Sequence, residues 1–246
     1  RFDLDLLRQR GVPVLDLSRR AQNAYERAIG HLKKSLETDP RRRSVYDEMM
    51  EIYALKGEYD DALQMLDDMH AFFPEEADTW LYLGLTQYRL GNLDAAHTSF
   101  ESAFRYMEED ERRAFTSLDH LVPEGETERY EADPVAYASR FWTSKDPRYL
   151  TPYNERKLEH YARLTYADLL YGSEALNLRG WDTQRGRILV RYGIPRADVV
   201  LVPGETGSTL ESVMRDVLSQ AGGEVAMTQL NQSALGDPQL AAQQLM

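Results

Sequence analysis

The sequence predicts a mainly α-helical protein: a short solenoid of repeated helix–turn–helix units, followed by a helical domain with a small β-hairpin. Three observations lead to this prediction. Residues 43–108 contain one pattern twice, at a spacing of 34 residues. Apolar residues recur three or four positions apart in most segments between residues 16 and 172, which is the periodicity of amphipathic helices. Near residue 190 this periodicity gives way to the alternation typical of a strand.

The composition excludes several classes of function. The chain has 246 residues and a net charge of −12, whereas a nucleic-acid groove or an anionic membrane surface requires clustered positive charge. Its apolar runs are shorter than the roughly 18 residues that span a bilayer. It has no cysteine, which excludes disulfides and thiolate metal sites. Since it begins with Arg1, we expect that upstream residues, a signal peptide among the possibilities, were removed.

The N-terminal region is predicted to change from an arm to a helix. Residues 1–15 form an irregular arm in this interpretation, because Gly11 and Pro13 interrupt their apolar pattern. A helix is expected from Asp16, whose side chain suits an N-cap, to Leu36. The helical array is predicted to occupy residues 16–108.

The two copies of the repeat match at their turn and packing positions. A glycine lies between the helices of each copy, and a small alanine begins the second helix. Neither helix can bury its apolar face alone, so the helices pair and stack on their neighbours. The matching positions are Tyr46 with Trp80, Met49 with Leu83, Gly57 with Gly91, Ala62 with Ala96, and Leu66 with Phe100.

This 34-residue pattern resembles the tetratricopeptide (TPR) repeat. The second copy is close to the consensus of that family, whereas the first has Met50 and Met69 where small residues are usual. Residues 25–40 are similar to the second helix of a further unit. The resemblance implies a TPR-like α-solenoid of two full repeats plus a partial one, with flanking helices that cap it.

TPR arrays present a concave surface built from the first helix of each repeat, and this surface is the predicted protein- or peptide-binding groove. An apolar stripe at helical spacing is expected to lie exposed there. Alternatively, a downstream helix of the same chain fills the groove. Asp47 and Glu51 would repel a C-terminal carboxylate, which disfavours binding of a chaperone tail. The predicted contact residues are Leu81, Leu85 and Tyr88 of the stripe, with Arg89, Asp47 and Glu51.

Residues 109–203 contain a second set of motifs, FW, then DP, TP-x-NE, GW-x-T, RGR and YG-x-P, which together resemble a bacterial domain known by its GWxTD sequence. Two positions depart from that pattern: Gln184 stands in place of the Asp, and Ile194 in place of a proline. The resemblance implies an architecture, an exported bacterial protein and no established activity. The residues that carry it are Phe141, Trp142, Gly180, Trp181, Thr183, Arg185, Arg187, Tyr192, Gly193 and Pro195.

Within this second region we expect three elements. An amphipathic helix is predicted from Asp110 to Leu121, and another from a Thr151 cap with Pro152 at its first position to Gly172. A β-hairpin is predicted from the alternation at residues 187–192 and a returning strand at 198–202, with an edge open to a partner strand. Residues 204–246 are predicted to be a linker followed by docking helices.

The chain is therefore predicted to be a non-enzymatic scaffold or accessory subunit of a bacterial, envelope-associated assembly, in the periplasm or cell envelope, or alternatively in the cytoplasm. We expect no catalytic residue, metal or cofactor, because no histidine cluster or nucleotide-binding loop occurs. The alternative function is a small-ligand or hydrolytic site around GWDTQRGR, where Trp181, Arg185, Arg187, Arg191 and His160 would hold an anion. The sequence favours a structural interpretation of these residues, in which the arginines pair with the many acidic residues and Trp181 packs at the helix–strand junction. The partner and the oligomeric state are not predicted.

Overall fold

The computed structural model describes residues 14–146, 151–173, 176 and 178–194, with side chains from residue 23 onwards. Residues up to Arg191 belong to one compact unit, and a second unit begins at Tyr192. The predicted domain limits at residues 15, 108 and 203 stay predictions.

The described residues form helices joined by short turns, and no strand occurs among them. The helices are α1 (Val14–Thr38), α2 (Arg43–Lys56), α3 (Tyr59–Phe72), α4 (Ala77–Arg89), α5 (Leu93–Tyr106), α6 (Glu109–Thr116), α7 (Thr127–Ala132), α8 (Pro134–Lys145), α9 (Glu155–Tyr171) and α10 (Gln184–Tyr192). Single turns of 3₁₀ helix, Glu124–Glu126 and Gly180–Asp182, precede α7 and α10.

The predicted TPR-like array is confirmed. Helices α2 and α3 form the first repeat, α4 and α5 the second, and each helix packs on the next. The turn between the helices of each repeat contains a glycine in the left-handed region, Gly57 at φ 74° and Gly91 at φ 81°. Helix α1 begins at Val14, two residues before the predicted start, and packs on α2.

The two repeats fill their interiors with different side chains. In the second, a Cβ added at Gly84 would lie 2.7 Å from the Phe100 ring, so any larger residue there would force this ring to shift. The equivalent positions of the first repeat hold Met50 and Leu66, a larger residue facing a smaller one. Both are fully buried. The buried core of the first repeat includes four methionines, Met49, Met50, Met65 and Met69.

Helix α9 packs on the concave side of the array, against α2, α4 and α5. It buries the apolar stripe, since Leu81 is 4% and Leu85 0% exposed. Tyr161 of α9 packs edge-on against Phe104, at 4.9 Å between ring centroids, and next to Phe115 of α6. The expectation of an exposed stripe is therefore wrong, and the alternative, a downstream helix in the groove, describes the structure.

The predicted β-hairpin is also wrong, because its first strand is helix α10. Alternation placed residues 188, 190 and 192 on one face, but Ile188 and Tyr192 are exposed, whereas Leu189 and Val190 are buried. Together with buried Gly186 they form a helical face at i, i+3 and i+4. The second predicted strand, residues 198–202, and the predicted tail, residues 204–246, lie outside the described residues.

Two predicted helix limits are corrected by local capping. Helix α9 begins at Glu155 and not at Pro152, because the Asn154 side chain accepts a hydrogen bond from the Lys157 amide. Its predicted end at Gly172 is confirmed. Helix α6 stops at Thr116 instead of Leu121, and the following residues turn back into a small separate cluster. The cluster contains Leu118, Val122, Tyr137 and Trp142.

Candidate functional site

An acidic groove remains on the part of the concave face that α9 leaves open. Its volume is about 600 Å³, and it lies between α2, α4, the end of α9 and residues 172, 173, 178 and 179. Five carboxylate residues and one cationic residue, Arg179, line it among the described residues. The carboxylate residues are Asp47, Glu48, Glu51, Asp78 and Asp168.

One wall of the acidic groove is organised around Arg43, at the start of α2. Its guanidinium contacts Asp47 on the same helix, Glu76 at 2.5 Å and Asp78 at 3.1 Å. The Tyr82 hydroxyl donates a hydrogen bond to Asp47 at 2.9 Å. Because one cation serves three carboxylates, this wall keeps an excess of negative charge.

The opposite wall is organised around Arg179, which follows Leu178. Its guanidinium lies 2.8 Å from Glu111 and 3.1 Å from Asp168, and 4.4 Å above the Trp181 ring. Asp168 also accepts a hydrogen bond from the Gly180 amide at 2.6 Å. The 3₁₀ turn is thereby attached to α9, and the carboxylate of Asp168 is fixed at the edge of the groove.

Two carboxylates that line the groove have raised pKa values. Desolvation in the cleft raises the pKa of Asp78 to about 6, against the opposing effect of Arg43. Desolvation also raises the pKa of Asp168, opposed by Arg179. A cation that enters between these two walls would favour the charged form of both side chains.

A second cavity, the basic pocket, lies on another side of α9 and has the opposite charge. Its volume is about 430 Å³, and α8, α9, α10 and residues 121–123 surround it. Four cationic residues and no acidic residue line it among the described residues, namely Lys145, Arg156, Arg163 and Arg191. Phe141 and Trp142, in contact at 5.0 Å with perpendicular rings, form an aromatic wall.

His160 lies in the wall of the basic pocket. The side chain is 4% exposed, and a hydrogen bond with the backbone of Ser117 favours its charged form. Burial, with nearby His120, Arg163 and Arg156, lowers its pKa to about 3. His160 is therefore neutral at pH 7, with one nitrogen able to donate and the other to accept a hydrogen bond.

The structure separates the residues that the sequence grouped as one partner-binding groove. Asp47 and Glu51 line the acidic groove, whereas Leu81 and Leu85 are buried beside it. Arg89 points to another neighbourhood, over the rings of Tyr59 and Tyr166 at 5.6 and 5.2 Å. Tyr88 is partly buried against the core. Partner binding at these positions stays a prediction.

The residues of the GWDTQRGR segment have mostly structural positions. Trp181 is buried against Phe115, and Gly180 and Gly186 allow backbones to approach where a Cβ would lie within 2.0 Å of a carbonyl oxygen. The Thr183 hydroxyl accepts a hydrogen bond from the Gly186 amide and so caps α10. Arg185 and Arg187 are exposed and Tyr192 is 74% exposed, while Gly193 has φ 88° and Pro195 lies outside the described residues.

Of the predicted arginine cluster, only Arg191 and His160 meet in one cavity, together with Phe141 and Trp142. Sequence reasoning missed Arg156, Arg163 and Lys145 as their neighbours. A usable signal was present, because Arg156, His160 and Arg163 stand at i, i+4 and i+7 and so share one face of a helix.

No family model and no solved structure matches this chain. It is similar to the heat shock protein sti1 homolog of Schizosaccharomyces pombe, at 28% identity over 82 residues. The match covers 33% of this chain and 14% of that protein, so the chain corresponds to a small part of the relative's length.

No group of three or more histidine and carboxylate side chains is arranged to hold a metal ion within the described residues. Nor does any helix of that part combine the length and apolar character needed to cross a bilayer.

Proposed function

We propose that the protein is a non-enzymatic interaction scaffold or accessory subunit, and that its partner contributes a basic peptide segment to the acidic groove. The observation that carries the proposal is the negative excess of this groove, where five carboxylate residues face Arg179 in the lining and Arg43 beside it. The TPR-like fold supports it, since helical repeats use their concave faces to bind other chains. The similarity to a heat shock protein sti1 homolog agrees with a role in protein interactions.

The geometry favours an extended segment with Lys or Arg side chains over a partner helix. Helix α9 already occupies the apolar part of the concave face, so the apolar anchors that a partner helix would need are buried. What remains open is a cleft between two carboxylate-bearing walls, one with Asp78 and the other with Asp168. Guanidinium groups form paired hydrogen bonds to such carboxylates. Binding is expected to weaken with salt, and also below pH 6 as Asp78 takes up a proton.

The experiment is a binding screen with peptide arrays that compares Lys/Arg-rich, neutral and acidic peptides of equal length. The variant Glu48→Lys/Glu51→Lys reverses charge in the groove, and Glu128→Lys/Glu131→Lys makes the same change in net charge on the exposed face of α7. We expect basic peptides to bind, the groove variant to lose at least about tenfold in affinity, and the α7 variant to retain it. Equal losses in both variants, or equal binding of acidic peptides, would contradict the proposal.

The bacterial, envelope-associated setting belongs to the same proposal. It rests on the resemblance of the motif residues, including Gly180, Trp181 and Thr183, to the GWxTD domain. Fractionation of the source cells with an antibody to this chain tests it, because a cytoplasmic signal alone would contradict an envelope assembly. Size-exclusion chromatography with light scattering would give the oligomeric state.

A further inference from the structure

The basic pocket is unusual for this chain, whose net charge is −12. Four cationic side chains from three helices converge on one cavity: Lys145 from α8, Arg156 and Arg163 from α9, and Arg191 from α10. Glu159 contacts both Arg156 and Arg163, so one carboxylate serves two guanidinium groups. The lining therefore keeps a positive excess that an anion would neutralise.

The arginines of the pocket are held in place by the backbone. Arg163 donates to the carbonyl oxygens of Val190 and Arg191, at 3.1 and 3.2 Å, and so ties α9 to α10. Arg191 donates to the carbonyl oxygen of Val122 at 3.2 Å. Each of these contacts uses part of a five-donor guanidinium and leaves further N–H groups for a ligand. The charge is therefore preorganised, which lowers the cost of ordering on binding.

The remaining wall has a different chemistry. Trp142 lies 5.4 Å from the His160 ring, and Phe141 lies next to Trp142. This aromatic surface offers a planar apolar group a place to stack. The His160 ring completes this wall, with its side chain 4% exposed.

We propose that the basic pocket binds an oxyanion carried on an aromatic ring, an aryl phosphate or aryl carboxylate. The oxyanion pairs with Arg191, Lys145 and the free donors of Arg156 and Arg163. The ring packs against Phe141 and Trp142, beside His160. The volume of about 430 Å³ suits a small organic molecule or one modified side chain. This site is separate from the acidic groove and does not depend on it.

The test uses phenyl phosphate as the probe, in isothermal titration calorimetry with the full chain. Inorganic phosphate, benzoate and cyclohexyl phosphate are titrated alongside it. We expect phenyl phosphate and benzoate, which combine charge with a flat ring, to bind more tightly than inorganic phosphate and cyclohexyl phosphate, which lack that ring. The His160 ring resonances in ¹³C NMR are expected to shift on binding. No binding at millimolar concentration, or no preference for the aryl compounds, would overturn the proposal.

Matched variants locate the site. Arg191→Gln removes a cation that lines the pocket, and Arg185→Gln removes an exposed one from the same helix. The first is expected to weaken binding about tenfold, equal to about 1.4 kcal/mol, and the second to leave it unchanged. If Arg191→Gln fails to fold, Lys145→Gln on α8 serves in its place, since Lys145 is exposed at the rim. Equal effects of the pocket and control variants would overturn the proposal.

Two sources can supply this chemistry, a free aromatic metabolite and a phosphotyrosine side chain of another protein. Phenyl phosphate is therefore compared with a short phosphotyrosine peptide and with its unphosphorylated form. Tighter binding of the phosphopeptide would assign the pocket to a protein ligand, and equal or weaker binding would assign it to a free small molecule. Both results support the oxyanion site, whereas equal binding of the unphosphorylated peptide contradicts it.

Discussion

Replacement of Gly84 by Ala tests how closely the second repeat is packed. The added Cβ would lie 2.7, 2.8 and 2.9 Å from three ring carbons of Phe100, where ordinary contact begins at 3.4 Å. The fully buried ring would have to move by about 0.7 Å to restore ordinary contact, in a core with little free space. Such overpacking costs about 1–3 kcal/mol, and Ala recovers about 1 kcal/mol of helix propensity. We expect a net loss of about 1 kcal/mol.

Gly30→Ala is the matched control, because Gly30 lies inside α1, is exposed, and has nothing within 4 Å of an added Cβ. The same substitution there should stabilise by about 0.5–1 kcal/mol. Urea unfolding followed by circular dichroism gives both free energies of unfolding. Phe100→Leu, which copies Leu66 of the first repeat, should relieve the clash. The double variant Gly84→Ala/Phe100→Leu should therefore be more stable, by about 1 kcal/mol, than the sum of the two single changes in free energy of unfolding predicts. Stabilisation by Gly84→Ala equal to that by Gly30→Ala would refute the reasoning.

Two further predictions concern α9. Leu85→Ala should lower the free energy of unfolding by about 3 kcal/mol because the side chain is fully buried. Leu55→Ala, at a concave position that is 47% exposed, should lower it by less than about 1 kcal/mol. Equal small losses in the two variants would show that α9 does not cover Leu85. The second prediction concerns how the free energy of unfolding depends on pH. The folded pKa of His160, about 3, lies below its ordinary 6.5, so the unfolded chain binds more protons between these values and stability rises with pH across that window. From about pH 7.5 to about pH 5 wild type should lose about 2 kcal/mol through this group. His160→Gln should lack that part of the loss, and the exposed-site control His31→Gln should keep it; equal losses in wild type and His160→Gln would contradict the assignment.

The repeat part of the fold was predictable because its information is local and occurs twice. Gly57 and Gly91 mark equivalent turns, and the 34-residue spacing gives the helix pairing directly. The acidic character of the groove was also partly visible, since Asp47 and Glu51 are concave positions of a known repeat geometry. These features depend on contacts between residues fewer than about forty positions apart.

Packing between residues far apart in the sequence was harder to predict. An apolar stripe at Leu81 and Leu85 looks the same in sequence whether a partner or α9, seventy residues downstream, covers it. Residues 187–192 fit both periods, and the burial of Leu189 and Val190 against the rest of the chain decides for a helix. The basic pocket draws on three separate helices, so its cations could not be grouped until those helices were placed.

The methionine-rich core of the first repeat has a chemical consequence. Met49, Met50 and Met69 are at most 1% exposed, while α4 and α5 contain no methionine and the chain contains no cysteine. Thioethers are oxidised to sulfoxides when peroxide reaches them, and a sulfoxide is too polar for such an interior. The rate of sulfoxide formation at these residues, read by mass spectrometry, therefore measures how often α2 and α3 separate. Methionine oxidation can therefore report the rate of opening of the first repeat, and no thiol of this chain competes for the oxidant.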